Sequence, residues 1–305
     1  MKLKHVLLAE LRCSTMELKL CSKPRHQTGF TLVELMVSLA IIAILAALLL
    51  PVLSRGKGRA QGIYCMSNTH QLIAAVHLYA ADFNDWLPPN PEHELPVGWV
   101  KGTMKIAQEA TNVAYLTDPQ YAKLASYNGG SASNYKCPAD KSTVTINGIK
   151  YPRVRTVSMN QAVGNIGTRP PAPVDGPWLD GTDHHKANQT WRTYGKLSDM
   201  TAPSPAGLWV LIDEDEHLIN DAAFAVAMAQ PTRIIDWPGV YHNFSAGLAF
   251  ADGHSEIHTW TDARTRIPSN YLTNPEDYLR HKNQPGNADI AWLQYRTSAS
   301  VTNQP

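Results

Sequence analysis

A long apolar segment near the start of the chain is the strongest hydrophobic pattern in the sequence. From Phe30 to Leu53 the residues read FTLVELMVSLAIIAILAALLLPVL, and Glu34 is the only charged residue among these 24. A helix needs about 20 apolar residues to cross a bilayer. A secretory signal peptide would instead have a shorter apolar core, followed by a small-x-small cleavage site. We therefore predict a transmembrane helix at residues 30–53.

The helical pattern continues beyond the membrane segment but becomes one-sided. Apolar residues recur every three or four positions among polar ones, which is typical of an amphipathic helix: Ile63, Met66, Leu72, Ile73, Val76, Tyr79 and Phe83. The stretch Trp86-Leu-Pro-Pro-Asn-Pro follows, and paired prolines cannot continue a helix. The pattern predicts one long helical segment at residues 30–85.

The remaining residues, 86–305, show short helices and alternating strands. One or two short helices are predicted within residues 105–127. Residues 143–151 alternate around Asn147-Gly148, which predicts a β-hairpin, and residues 154–160 are predicted to continue its sheet. Residues 207–213 form an apolar run typical of a buried strand. A second hairpin is predicted where residues 247–251 meet residues 254–260 across Asp252-Gly253.

These elements together predict an α+β fold. A long N-terminal helix would pack on an antiparallel β-sheet head with loop-rich insertions. Pro and Gly occupy 21 and 19 positions, and only 17% of the residues are charged, which favours a loop-rich, strand-containing body over a helical bundle. The sequence therefore divides into a leader at 1–29, a helix at 30–85 and a head at 86–305.

Charge is distributed unevenly between the leader and the rest of the chain. Residues 1–29 carry six Lys/Arg and two Glu, while the rest carries 21 basic and 24 acidic residues, a net charge of −3. The basic leader is typical of a segment retained in the cytoplasm. The slightly acidic body gives no reason to expect nucleic-acid binding. Translation could begin at Met1 or at Met16, and both starts retain a basic leader.

The residues around the start of the apolar segment carry a specific resemblance. The string Gly29-Phe-Thr-Leu-Val-Glu34 resembles the prepilin cleavage and methylation motif of type IV pilins and type II secretion pseudopilins. The resemblance implies that prepilin peptidase cuts after Gly29 and methylates Phe30. Glu34 then becomes the fifth residue, whose partner in the family is the α-amino group of a neighbouring subunit. Pro51 falls where many pilins have a helix-kinking proline.

A second resemblance extends into the body. The strings Cys65-Met-Ser-Asn and Cys137-Pro-Ala-Asp, and a His242 nine residues before Asp252-Gly253, are similar to a pseudopilin-like family expanded in planctomycetes and verrucomicrobia. Along extended strands His242 and Asp252 would lie too far apart to share a proton. We therefore interpret His242 as a structural hydrogen-bonding residue and Asp252-Gly253 as a turn.

Two of the four cysteines remain if the leader is removed. Cys13 and Cys21 lie in the leader, which leaves Cys65 and Cys137. An even pair in an exported protein favours a disulfide, with two buried free thiols as the alternative. Their spacing lacks the clustered ligands of a zinc site.

The acidic run Asp213-Glu214-Asp215 is the best metal candidate in the sequence. Calcium takes six to eight oxygen ligands, and some major pseudopilins hold calcium in a loop beside the sheet. A solvated acidic turn is the alternative. The sequence contains no G-x-S-x-G or phosphate-binding loop, so we expect neither an enzyme nor any other cofactor.

The sequence as a whole predicts a pseudopilin that assembles with other pseudopilins in a type II secretion or type IV pilus-like system. Its partners would be prepilin peptidase, the inner membrane and homo- or hetero-filament neighbours. It would cross the inner membrane once, with its C-terminal head in the periplasm or on the cell surface. The alternative is a membrane-anchored binding module for polysaccharide, in which tryptophans such as Trp99 and Trp178 stack on sugars. A tethered hydrolase is a third, disfavoured reading.

Overall fold

The computed structural model describes residues 29–90, 97–229, 232–268 and 282–302, without the side chains of residues 54 and 55. Most of the predicted leader, including Cys13, Cys21 and the alternative start at Met16, lies outside the described residues. The chain divides into two compact units between Pro51 and Val52. The boundaries predicted for leader, helix and head stay predictions.

One continuous helix, α1 (Leu32–Asp82), contains both the apolar and the amphipathic segments, so the prediction of a single long helix is confirmed. Pro51 lies inside it. Within the described residues, α1 is the one helix long and apolar enough to cross a membrane. The apolar side chains of its first part are exposed, and Leu48, for example, is 67% exposed.

The first part of the head contains two short helices and a hairpin, as predicted. The helices are α2 (Ala107–Ala110) and α3 (Ala114–Thr117). Strands β1 (Thr143–Ile146) and β2 (Ile149–Pro152) pair antiparallel. Asn147 and Gly148 between them have φ angles of 50° and 79°, the left-handed values that a type I′ turn requires.

The larger sheet has five strands among the described residues, in the order β5-β3-β4-β6-β7. These strands are β3 (Val157–Asn160), β4 (Trp209–Asp213), β5 (Ala223–Phe224), β6 (Ser245–Phe250) and β7 (Ser255–Thr259). All pairings are antiparallel except β3–β5, which is parallel. The buried strand at 207–213 and the second hairpin are confirmed.

One strand prediction is wrong, because β3 does not continue the β1–β2 sheet. Every residue of β3 is buried between β4 and β5, whereas β2 is exposed along its whole length. Strands of such different burial belong to different layers. The apolar content of Val157 and Met159 draws β3 into the core.

Both faces of the larger sheet are covered. On one face, α1 packs Leu72, Ile73 and Val76 in a cluster with Met159 and Leu211. The opposite face packs in a second cluster that reaches α4 (Ala288–Thr297), a helix that the sequence analysis did not predict; it includes Trp209, Phe224, Leu248, Trp260 and Leu293. Because both faces are covered, β3, β4 and β6 are buried at every position rather than at alternate ones.

Candidate functional site

The predicted processing residues lie at the N-terminal end of α1. Gly29 and Phe30 precede the helix and are exposed, Phe30 at 73%. The bond between them is therefore accessible just outside the first helical turn. Glu34 is exposed in that turn and is the only charged residue from Phe30 to Leu53.

Thr31 and Glu34 close this helix end by binding each other. The Glu34 N–H donates to Thr31 Oγ1 at 3.2 Å, and the Thr31 N–H donates to Glu34 Oε2 at 2.9 Å. The Thr31 hydroxyl also donates to Glu34 Oε2 at 2.8 Å. This reciprocal arrangement is a capping box, which satisfies two backbone donors at the helix start. The sequence analysis missed it, although Thr-x-x-Glu before an apolar run is its signature.

Inside the head, four side chains from distant parts of the chain meet at one point. Cys65 comes from α1, Asp213 from the end of β4, His242 from the turn before β6, and Cys137 from a loop. The Cys65 thiol donates to Asp213 Oδ2 at 2.7 Å, and Cys137 Sγ lies 3.1 Å from His242 Nε2. One ligand atom from each of the four lies within 4.8 Å of the others. We call these residues the Cys/His/Asp cluster.

The cluster is buried and held by surrounding backbone and hydroxyl groups. Its four members are between 0% and 5% exposed. The Thr156 hydroxyl donates to Asp213 Oδ1 at 3.0 Å and accepts the Cys137 N–H at 2.8 Å. The Gly247 N–H donates to Asp213 Oδ2 at 3.1 Å. The positions of both Cys137 and Asp213 are therefore set by partners outside the cluster.

Burial shifts the pKa of each group in the cluster toward its neutral form. It raises the pKa of Asp213 to about 6 and lowers the pKa of His242 to about 4. Burial also raises the pKa of the Cys137 thiol. The pKa of Cys65 is raised first by its hydrogen bond with Cys137 and then by burial. In the absence of a cation, the cluster therefore holds neutral thiols and a neutral imidazole.

These contacts bear on the predictions for the cysteines and His242. Cys65 and Cys137 are brought together, but both are free thiols in the structure, so the disulfide stays a prediction. The expectation that they lack clustered metal ligands is wrong, because the fold adds Asp213 and His242 from distant parts of the sequence. His242 contacts Cys137, whereas Asp252 and Gly253 lie in the turn between β6 and β7, where Gly253 has a φ of 94°.

The three carboxylates predicted to bind calcium face different partners. Asp213 belongs to the Cys/His/Asp cluster, and Glu214 Oε2 accepts a hydrogen bond from the Ser158 hydroxyl at 2.5 Å. Asp215 lies instead with Glu216 and His217. Successive side chains of an extended chain point in opposite directions, which separates Asp213 from Glu214. The run is buried, so the alternative of a solvated turn is wrong; calcium binding stays a prediction.

Cys137 and His242 have the contact distance of a nucleophile and its base, but not the exposure. Cys137 is 0% exposed and His242 is 5% exposed. A nucleophilic cysteine needs a partly exposed, electropositive environment, in which the thiolate is favoured. Here burial raises the pKa of Cys137 instead. The arrangement is suited to holding structure and not to attacking a substrate.

The two tryptophans considered for sugar binding differ in their surroundings. Trp99 is 0% exposed, and its indole N–H donates to the Ala222 carbonyl at 3.2 Å, so it cannot stack on a ligand. Trp178 is half-buried and lines a polar cavity of about 360 Å³ with His184 and Asp221. Polysaccharide binding through Trp178 therefore stays a prediction.

The N-terminal part of the chain is similar to known proteins. The pattern of the prokaryotic N-terminal methylation motif matches residues 24–50. The chain is 38% identical over 78 residues to the competence protein ComGC of Halalkalibacterium halodurans, covering 26% of this chain and 76% of that protein. It is 30% identical over 107 residues to the type IV wide pilus major component PilA4 of Thermus thermophilus, covering 35% and 79%.

A third relative is also a type IV fimbrial protein. The chain is 31% identical over 114 residues to the type IV major fimbrial protein FimA of Dichelobacter nodosus, covering 37% of this chain and 65% of that protein. No solved structure matches the chain. In each of these comparisons most of this chain lies outside the matched region.

Proposed function

Because the chain belongs to the type IV pilin-like proteins, we propose that it is a pseudopilin subunit of a type II secretion or type IV pilus-like filament. Prepilin peptidase cuts it after Gly29 and methylates Phe30. The mature subunits then pack through residues 30–53 into a helical assembly, alone or with other pseudopilins. Its function is polymerisation, not catalysis.

The single observation that carries this proposal is the exposed apolar segment with one carboxylate. Residues such as Leu48 and Leu50, at 67% and 66% exposure, need lipid or neighbouring subunits to cover them. A carboxylate in such surroundings is costly without a partner. Cleavage after Gly29 creates that partner, since it gives Phe30 a positively charged α-amino group that can bind Glu34 of a neighbouring subunit.

The charge distribution supports a single-pass orientation in the inner membrane. The basic residues of the leader favour the cytoplasmic side. The head, on the other side of the apolar segment, then lies in the periplasm or on the cell surface. The buried thiols support a structural role for the head, because neither sulfur is accessible to a substrate.

The mass of the mature protein tests the processing step. We expect a chain that begins with methylated Phe30. A chain that retains Met1 or Met16 would remove the basis of the proposal. The same measurement on a Gly29→Val variant should show an uncut chain, because the small residue before the cleaved bond is lost.

Substitution of Glu34 tests the assembly step. We expect Glu34→Val to be inserted in the membrane but to be missing from crosslinked or sheared filaments. Ser38→Val is the matched control, because it removes a polar group one turn later without removing a charge, and it should assemble normally. Normal incorporation of Glu34→Val would contradict the proposed pairing.

The polar cavity beside Trp178 favours a second function, a membrane-anchored module that binds polysaccharide. The cavity is lined by carboxylates and an aromatic ring, which are groups that sugars contact. A glycan array probed with the full-length protein tests this function. Binding that is lost in Trp178→Ala would support it, and the absence of binding to any glycan would count against it.

A further inference from the structure

We propose that Cys65, Cys137, Asp213 and His242 form a buried structural zinc site in the head. This inference does not depend on filament assembly. It rests on the convergence of two sulfurs, one imidazole nitrogen and one carboxylate oxygen in a space where all four atoms lie within 4.8 Å of one another.

The spacing of the four atoms suits a tetrahedral ion. Zinc lies about 2.3 Å from thiolate sulfur and about 2.0–2.1 Å from imidazole nitrogen, so its ligands are separated by about 3.5–3.8 Å. The contacts of Cys65 with Asp213, at 2.7 Å, and of Cys137 with His242, at 3.1 Å, are shorter than this. Both are hydrogen-bonding distances. Side-chain movements of about 1 Å or less would separate the four atoms enough to admit the ion. The ion would then take the place of the two thiol protons, which are released to solvent.

The chemistry of the donor set favours zinc over the cations that prefer oxygen. Calcium and magnesium take oxygen ligands, six or more in number for calcium. Thiolate and imidazole together suit zinc, which accepts a carboxylate as well. All four positions are filled by protein and all four residues are buried, which is the arrangement of a structural site and leaves no open position for a substrate.

The charges in the cluster also favour a bound cation. Asp213 is 0% exposed, and no Lys or Arg forms an ion pair with it within the described ranges. Its carboxylate is served only by hydrogen bonds, from Cys65, Thr156 and Gly247. A divalent cation would supply the positive charge that this buried carboxylate lacks, and together with two thiolates it would leave one net negative charge in the cluster.

Two of the four ligands, Asp213 and Cys137, have outer contacts of the kind that orient ligands in known zinc sites. A carboxylate ligand is held by outer hydrogen bonds, as Asp213 is by the Thr156 hydroxyl and the Gly247 N–H. The Ala139 N–H lies 3.3 Å from Cys137 Sγ and donates to it, which stabilises a thiolate. These contacts leave Cys137 and Asp213 little freedom to turn away from the ion.

Zinc binding and the predicted disulfide are mutually exclusive, because they use the same two sulfurs. The first experiment therefore measures both in the full-length protein, purified in detergent without reductant or chelator. We expect about one zinc ion per chain, and two cysteines that become alkylated only after chelation and unfolding. A Cys65–Cys137 disulfide in the native protein, or a reduced protein that binds no added zinc, would overturn the proposal.

Single substitutions test the ligand set. Cys137→Ser and His242→Ala should each lower the zinc content from about one ion per chain to near zero after dialysis. His70→Ala is the matched control, since His70 is exposed on the same helix as Cys65, and it should keep its zinc. Full zinc content in both Cys137→Ser and His242→Ala would overturn the assignment.

A measurement on the wild type avoids the risk that a variant fails to fold. Chelation should lower the thermal unfolding temperature, and added Zn²⁺ should restore it, because an ion that binds only the folded state stabilises it. Co²⁺ in place of zinc should give the strong visible absorption of a four-coordinate thiolate site. An unfolding temperature that neither chelator nor Zn²⁺ changes would overturn the structural role.

Discussion

Cys65 and Asp213 are joined by a hydrogen bond of 2.7 Å although 148 positions separate them in the sequence. Cys65 lies on α1, and Asp213 ends β4. The contact therefore fastens the long helix to the central strands of the head. Gly247 of β6 lies directly against both groups, so a third element meets the same point.

Gly247→Ala should destabilise the head. A Cβ at this position would lie 2.6 Å from Cys65 Sγ and 3.1 Å from Asp213 Oδ2. Because neither side chain has free space in the core, we expect a loss of about 1–3 kcal/mol in the free energy of unfolding. Denaturant unfolding of the detergent-solubilised chain measures this change.

The matched control for this substitution is Gly56→Ala. Gly56 is exposed within α1, and a Cβ there meets nothing within 4 Å. Alanine in a helix interior is favoured over glycine by about 0.5–1 kcal/mol, so this variant should be slightly more stable or unchanged. Equal effects at the two glycines would show that the close approach at Gly247 is unimportant.

Arg155→Met should be strongly destabilising. Arg155 is 0% exposed and donates to the carbonyls of Val157, Gly102 and Asp221 at 2.9, 2.9 and 2.6 Å. Burial lowers its pKa to about 10, and the nearby charge of Glu214 opposes that shift. The substitution leaves these three carbonyls without this donor, and each unsatisfied buried acceptor costs about 1–3 kcal/mol.

The double variant Arg155→Met, Glu214→Gln separates charge from packing. If Glu214 depends on the neighbouring guanidinium, removing both charges should recover part of the loss. Chemical denaturation of the two single variants and the double variant completes the cycle. Strictly additive losses would mean that the two charges do not interact.

Stability should fall as the pH rises from about 5 to 7, and Glu216 should contribute to this. Burial, and then the charge of Asp215, raise the pKa of Glu216 from 4.5 to about 7. Between these values the folded state holds a proton that the unfolded state releases. The stabilisation is therefore complete below about pH 4.5 and is lost as the pH approaches 7, by up to about 3 kcal/mol.

Glu216→Gln checks the origin of this pH dependence. The variant has no proton to lose at this position, so its free energies of unfolding at pH 5 and pH 8 should differ less than those of the wild type. An unchanged difference between the two pH values would exclude Glu216 as its source.

Asn287→Ala should weaken the C-terminal helix. The Asn287 side chain accepts the N–H groups of Asp289 and Ile290 at 3.0 and 3.2 Å, which caps α4. Loss of a capping side chain costs about 1–2 kcal/mol. Asn287→Ser keeps a capping oxygen and should lose less. Amide exchange across α4 and denaturant unfolding report the local and the global effect.

The parts of the fold that local sequence determines could be predicted. The long apolar run gives α1, and Asn147-Gly148 can adopt the left-handed angles of its turn without help from the rest of the fold. Helix α4 also has local signals, in the Asn287 cap and the apolar Ile290 and Leu293, but they form a short pattern of only ten residues. The separation of β3 from the first hairpin depends on core burial, which the alternation of residues does not reveal.

The Cys/His/Asp cluster could not be predicted as a set because its members are distant in sequence. The sequence does predict that Cys65 and Cys137 lie close together, because they are the two cysteines that remain outside the leader. The sequence predicts separate roles for His242, as a structural hydrogen-bonding residue, and for Asp213, as part of a calcium site. Only the register of β4 against β6, which places Leu211 opposite Ala249 and Ile212 opposite Leu248, brings the end of β4 to the turn that holds His242.

If the chain assembles as proposed, the capping box at the start of α1 affects how a subunit joins and leaves the filament. On the proposed function, cleavage after Gly29 would remove neither Thr31 nor Glu34, so the carboxylate of a solitary mature subunit would already be bound by its own chain. On the proposed function, docking of an incoming amine is an exchange of one partner for another. When that neighbour leaves, Glu34 would bind Thr31 again. The carboxylate would therefore have a hydrogen-bond partner both in the free subunit and in the assembled one.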